Sequence, residues 1–263
     1  MSDRFETAHR AIPECDPGYG AWLPLAEGVA RSSQLWRTSV AGIPLVDIRQ
    51  NARAEVLAAA TAFTERIGVA LPAPADADAP SRLLAVTGHQ PALFHPGVWV
   101  KNFLIDRFAR ESGATALNLV VDSDSFDTVS LSSPCVTERS IVRCTAKLAS
   151  GSHGLCFAWS PPPTSAQIDS FAEEAHAFLG TLPRSDARHN FERYVAQLRQ
   201  ANDAVNLGEF LTFARRRYEA EAETAYLELP VSHLTQSDSF ARFAAGIISE
   251  ISRFAHVHNE ALA

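Results

Sequence analysis

The stretch VTGHQPALFHPGVWVKN, residues 86 to 102, concentrates groups that can do chemistry: two histidines, a glutamine, two glycines, two prolines and a lysine. Neutral imidazole both donates and accepts near neutrality, so His89 and His95 could donate to a phosphate oxygen, carry a proton or ligate a metal. The plainer alternative for each is a hydrogen-bonded loop clasp. Gln90 offers an amide to a substrate carboxylate or ties the loop to its own backbone. Gly88 allows a sharp exit from a strand and close approach of the backbone to a ligand, while Pro91 and Pro96 stiffen the loop. Around Gly97 and Val98 a helix is expected to begin, and its unpaired N–H groups favour a phosphate or carboxylate. Lys101 falls in that first turn, the unfavourable end for a cation; a bound anion would partner it, and otherwise it extends to solvent. Asn102 is a weaker ligand contact, and Trp99 reads as packing.

A second cluster follows in VVDSDSFDTV, which places Asp122, Asp124 and Asp127 in one short stretch. Neighbouring carboxylates repel unless a cation, an amine or local donors compensate. They suit Mg²⁺ held together with phosphates, or a ligand amino group; an Asx-turn accounts for one of them. His89, Lys101 and Asp122 are the expected catalytic residues, and Gly88, Gln90, His95, Gly97, Asn102, Asp124 and Asp127 the expected substrate- or nucleotide-binding ones. No metal ligand set is assigned, and His153 with Cys156 lacks the second pair that a zinc site needs. Ser232, His233 and Ser237 flank the last helix, as cap and turn residues or as a wall closing the pocket from the other half.

The elements that must position these groups are legible as rhythm. RLLAVTG and ALNLVVDSDS are apolar runs bracketing VWVKNFLIDRFARESG, which has helical spacing and a stop at Gly113. Strand, loop, helix, strand is a βαβ crossover, and near-continuous apolar strands fit a parallel sheet covered on both faces. Ligands of such sheets bind beyond the strands' carboxyl ends, where both clusters fall. Residues 45 to 68 form a helix ending at Gly68, and RSIVRCTAKLAS and GLCFAW resemble strands. After the prolines at 161 to 163 a helix starts at a Thr164 or Ser165 cap, and the chain stays mostly helical to about 227. Arg215, Arg216 and Arg217 with Glu219, Glu221 and Glu223 read as a solvated helix face with i,i+4 pairs. The expected division is an amino-terminal arm and helix at 1–82, an α/β core at 83–160, and a mainly helical region at 161–263 that returns to the core at 228–263.

Bulk properties narrow the class. A formal charge of −7 with 23 Lys and Arg disfavours a nucleic-acid surface, which needs clustered cations. The start MSDRFETAHR is not a secretory signal, and no run approaches the roughly 18 apolar residues of a membrane span, so a cytoplasmic protein without a membrane partner is expected. The four cysteines form no CxxC pair and read as reduced or buried thiols. There is no GxSxG elbow, GxxxxGK[ST] loop or GxGxxG fingerprint.

TGHQPALFHPGVWVKN resembles the TGQQ…LF…GP…K loop of the cysteine-adding enzyme family of bacillithiol synthesis, and VVDSDSFDTV resembles the EDHDF.E segment of that family. Gly88, Gln90, Leu93, Phe94 and Lys101 match the loop; Asp122, Asp124, Phe126 and Asp127 match the acidic segment. GHQPALF is also similar to the HQPNYFP start of a family proposed to include amino-sugar acyl-transfer proteins. The first resemblance implies an α/β fold with a Rossmann-like nucleotidyltransferase-type core and mainly parallel sheet, helices toward the carboxyl end, and ligation of cysteine to a glucosaminyl malate acceptor. His89 stands where that family has its first Gln, His95 has no counterpart, and Ser123 replaces a His. The family's long carboxyl-terminal helical region has no counterpart, as in a truncated form.

The expected function is a ligase or transferase joining a small amine to an activated or carboxylate-bearing metabolite, with ATP and Mg²⁺ as the cofactors this chemistry would use and a homodimer as a form it could take. In that scheme His89 takes the amine's proton, Lys101 stabilises developing negative charge and Asp122 or Asp124 anchors the amine. The alternative is a non-catalytic anion- or nucleotide-binding or assembly protein.

Overall fold

A computed structural model describes residues 19–30, 39–40, 42–72, 83–92, 96–151, 154–182 and 185–262. The fold is mixed α/β, with a small parallel sheet and several helices toward the carboxyl end. Helix α1 (Trp22–Ala30) precedes two short paired strands, β1 (Ser39–Val40) and β2 (Ile43–Pro44), and then the long α2 (Leu45–Ile67). Gly68 ends α2 in the left-handed region, φ 77°, where a side chain would be strained.

The expected crossover is present as β3 (Leu84–His89), α3 (Pro96–Ser112) and β4 (Thr115–Val120), with β3 and β4 parallel in the register Leu84–Thr115 to His89–Val120. A third strand, β7 (Leu227–Pro230), lies parallel on the other side of β4. Alternation along β4 explains the layering. Leu117, with Leu227 and Leu229, packs on Ala60 of α2, whereas Ala116 and Tyr226 pack on Ile105 of α3. The sheet is thus covered on both faces, as its apolar strands require.

Between β4 and β7 the chain builds a second layer: an antiparallel hairpin, β5 (Thr128–Val136) and β6 (Ile141–Ser150), then α4 (Ser165–Leu179), α5 (Ser185–Gln200) and α6 (Leu207–Ala220). The hairpin and these helices share the largest apolar cluster, which includes Phe63, Val129, Phe157, Phe171, Leu198 and Phe213. Those residues come from all three stretches read from the sequence, so one core unites them. Thr164 caps α4 in a capping box with Gln167. After β7 come α7 (Val231–Leu234), α8 (Asp238–Ser249), capped by Ser237, and α9 (Ile251–Leu262).

Three expectations are corrected. GLCFAW is not a strand: Phe157–Trp159 is a single 3-10 turn, and Cys156 makes only an isolated bridge to Ser125. The helical reading to residue 227 overran, because α6 ends at Ala220, Glu223 takes a positive φ of 57°, and Leu227 begins β7. Most consequentially, Arg215, Arg216 and Glu219 are buried, at 6%, 0% and 0% exposure, rather than on a solvated face. No helix among the described residues is long and apolar enough to cross a membrane.

Candidate functional site at the carboxyl edge of the sheet

The three parallel strands point their carboxyl ends at one rim, which carries His89, Asp122 and, after β7, Ser232 and His233. Gly88 is not at a turn. It is a strand residue opposite Leu119, and a Cβ there would come within 3.1 Å of the Leu119 carbonyl oxygen, so it serves the close approach of two strands. His89 is half-buried, its Nδ1 3.3 Å from the Gln90 carbonyl oxygen. Gln90 donates through Nε2 to Asp124 Oδ2 at 2.8 Å, joining the two sequence clusters. His95, Leu93 and Phe94 lie outside the described residues. Gly97 is exposed in the first turn of α3, and Lys101 is half-buried one turn on.

The acids differ sharply in environment. Asp122 is 1% exposed, and both its oxygens are engaged by Ser232: Oδ1 accepts the backbone N–H at 2.9 Å and Oδ2 accepts the hydroxyl. The end of β4 is thereby tied to the end of β7, and Ser237 serves as the cap of α8. Asp124 and Asp127 are exposed, and the Asp127 carbonyl accepts from the Gly151 N–H at 2.8 Å. Among the described residues no cluster of three or more His, Cys, Asp or Glu side chains is arranged to hold a metal. With Asp122 engaged by Ser232 and Asp124 by Gln90, the acidic segment does not present a converging carboxylate set for Mg²⁺.

Asn102 is placed by the fold in a buried polar network. It donates to Glu219 at 3.1 Å, beside Trp99, whose indole N–H donates to the same oxygen at 2.5 Å. Arg215 donates through Nη1 to both Glu219 oxygens at 3.0 Å and to the Tyr226 hydroxyl at 2.9 Å, and through Nη2 to Glu228 at 2.6 Å. Tyr226 also donates to Glu219, and Asn118 to Glu228 at 2.9 Å. The two carboxylates are not equivalent. Burial pushes Glu219 up most strongly, but the charge of Arg215 and the Tyr226 hydroxyl together hold it below its ordinary value. For Glu228 burial wins over Arg215 and its pKa is raised. One arginine therefore serves an ionised acid and an acid biased toward its neutral form.

Above this network is a cavity of about 250 Å³. Pro91 and Ala92, just past the end of β3, form one side, and Trp99, Tyr194, Tyr218 and Arg215 line it further in. Trp99 stacks on Tyr218 with centroids 6.0 Å apart and planes at 29°, and Tyr194 meets Tyr218 edge-on at 5.9 Å. The walls are aromatic, with a few polar groups, the composition typical of small-molecule sites. A second hollow, about 440 Å³, lies between the first turn of α4 and the end of α5, where Arg199 is paired to Asp169 at 2.8 Å.

A third group sits on the other side of α6. Glu209, 1% exposed, accepts two hydrogen bonds from Arg66, at 3.1 and 2.8 Å, one from the Val205 N–H at 3.3 Å, and lies 3.3 Å from His233 Nε2. Burial raises its pKa, yet His233, Arg66 and the Val205 amide outweigh that and bring it down to about 2.

The cavity residues Trp99, Tyr194, Tyr218 and Arg215 were not among the sequence candidates. The usable signal was the i,i+4 pairing of Arg215 with Glu219 next to an aromatic residue, which was legible as a pair but not as an interior one. No protein-family profile and no curated protein matches the chain.

Proposed function

We propose that the chain is the small-molecule-binding core of a Rossmann-like, nucleotidyltransferase-type ligase or transferase, joining a small amine to a carboxylate-bearing metabolite. The observation that carries this reading is the aromatic cavity beside Pro91 and Ala92, immediately beyond the carboxyl end of a parallel strand, where open α/β sheets bind their ligands. The βαβ order, and the bacillithiol-family likeness of residues 86–102 and 120–129, agree with it. In this reading the cavity holds an apolar or ring-bearing part of one substrate. His89 and Lys101 act on the polar end, His89 taking a proton from the amine and Lys101 stabilising charge on the carboxylate. Asp122 positions the β4–β7 junction through Ser232 rather than meeting substrate.

A binding protein without catalysis is the second reading, favoured by one observation: Asp122, Asn102 and Gln90 all spend their polar groups on other residues of the chain. Calorimetry of the full chain with ATP and Mg²⁺, then with small carboxylates and primary amines, separates the two when followed by mass spectrometry of amine–carboxylate mixtures. The enzyme reading expects saturable binding weakened about tenfold by Tyr194→Ala, since an aromatic wall contributes about 1.4 kcal/mol, and a condensed product lost in His89→Ala. Saturable binding with no product supports the second reading. Binding indifferent to Tyr194→Ala sinks the cavity as the site.

A further inference from the structure

We infer that Cys135 and Cys144 form a reaction site for low-molecular-weight disulfides, closing into a cross-strand disulfide of the β5–β6 hairpin. The register carries the inference. Cys135 lies opposite Val142 and Cys144 opposite Ser133. Paired residues share a face of a sheet, and so do residues two apart on one strand, so the cysteines are diagonal neighbours on the same face. Both pack against the main apolar cluster, in company with Leu131, and both remain half-buried rather than sealed in the core. The third described thiol, Cys156, belongs to a different segment, bridged to Ser125.

The Cys144 pKa is raised first by a hydrogen bond to Cys135, then by burial and by the neighbouring sulfur's charge. The thiol that donates is the worse nucleophile, so Cys135 attacks first and Cys144 resolves. In the first step the Cys135 thiolate displaces one thiolate from the small disulfide, forming a mixed disulfide. In the second, the Cys144 thiolate attacks the Cys135 sulfur and expels the other. The two protons leave with the expelled thiolates, so one disulfide is reduced to two thiols while the protein loses two hydrogens. Diagonal neighbours sit about 7–8 Å apart between Cα atoms, beyond the usual disulfide range, so closure pulls the strands together and the bond is readily reduced again. Leu131, on the same face, is also part of the cavity lining, which places the closing bond on the element that forms one wall of that site.

Oxidised glutathione incubated with the reduced full-length protein, followed by intact-mass analysis and peptide mapping, tests this independently of any enzymatic role. The expected product is lighter by two hydrogens, carries no glutathione, links the Cys135 and Cys144 peptides, and reverts with dithiothreitol. Cys144→Ser is expected to stop as a stable glutathione adduct on Cys135. A wild-type protein that accumulates glutathione adducts without closing, that fails to react, or that links either cysteine to Cys15 or Cys156 overturns the inference.

Discussion

At the scale of single residues, the pairing of Glu209 sets a measurable pH dependence. Its pKa is about 2 in the folded protein and in the ordinary carboxylate range when unfolded. A depressed folded-state pKa stabilises the fold above the unfolded value, and that contribution is lost as pH falls from the ordinary range toward 2. Because Arg66 is 43% exposed and its share is screened, about 2 kcal/mol is expected. Urea unfolding of wild type and Glu209→Gln, at near-neutral pH and at roughly pH 3, checks this. The variant is expected to be weaker at neutral pH and to lose less on acidification, and parallel losses in the two proteins would rule the account out. Arg215 shows the opposite side of burial. It is held at two carboxylates and a tyrosine hydroxyl, and removing one member of such a buried network leaves the others' charges unpaired.

At the scale of elements, the hairpin is joined to the sheet through one close backbone passage. A Cβ on Gly151 would lie 1.7 Å from the Phe126 carbonyl oxygen, so the end of β6 can cross the acidic segment only as glycine. Gly151→Ala is expected to cost about 2–4 kcal/mol by forcing the two backbones apart. Thermal unfolding measures the loss, and a shift no larger than that of an exposed alanine substitution would show that the crossing is not tight. The sequence made some elements plain and hid others, for identifiable reasons. The β3–α3–β4 crossover was legible because two apolar runs bracket an amphipathic one, closed at Gly113 with φ 71°. Strand β7 was hidden because Leu227–Pro230 follows directly on a helix-forming run, and four residues are too few to show a period. Strand β5 was overlooked because Pro134 and its serines suggest a loop, though Pro134 pairs with Arg143 in the register. The stretch at 86–102, which the sequence suggested as one loop, is the end of β3 and the start of α3 with only a short connection between them. Which of its side chains face Glu219 depends on α6, more than 100 residues away in sequence, and no local pattern reports that.

At the scale of the whole molecule, stability is unevenly distributed. One large cluster joins α2, the hairpin and α4 to α6, whereas α9 buries none of its residues and leaves Ile251, Phe254 and Val257 at 54%, 47% and 56% exposure. Deleting residues 251–262 is therefore expected to change the unfolding free energy by less than about 0.5 kcal/mol. Urea denaturation followed by far-ultraviolet circular dichroism is the check, and a loss of several kcal/mol would mean that α9 contributes to the core. The remaining chain is expected to unfold in one transition, since the main cluster draws on all three stretches of sequence.

The position of Trp99 has an optical consequence. Its indole lines the cavity while its N–H is fixed on the Glu219 carboxylate, and indole emission depends on the charge and polarity around the ring. A molecule entering beside it changes both at once, whereas Trp159, at 76% exposure, stays in water. The protein thus carries its own fluorescent reporter of the cavity, and unlabelled compounds can be screened by the colour of its emission.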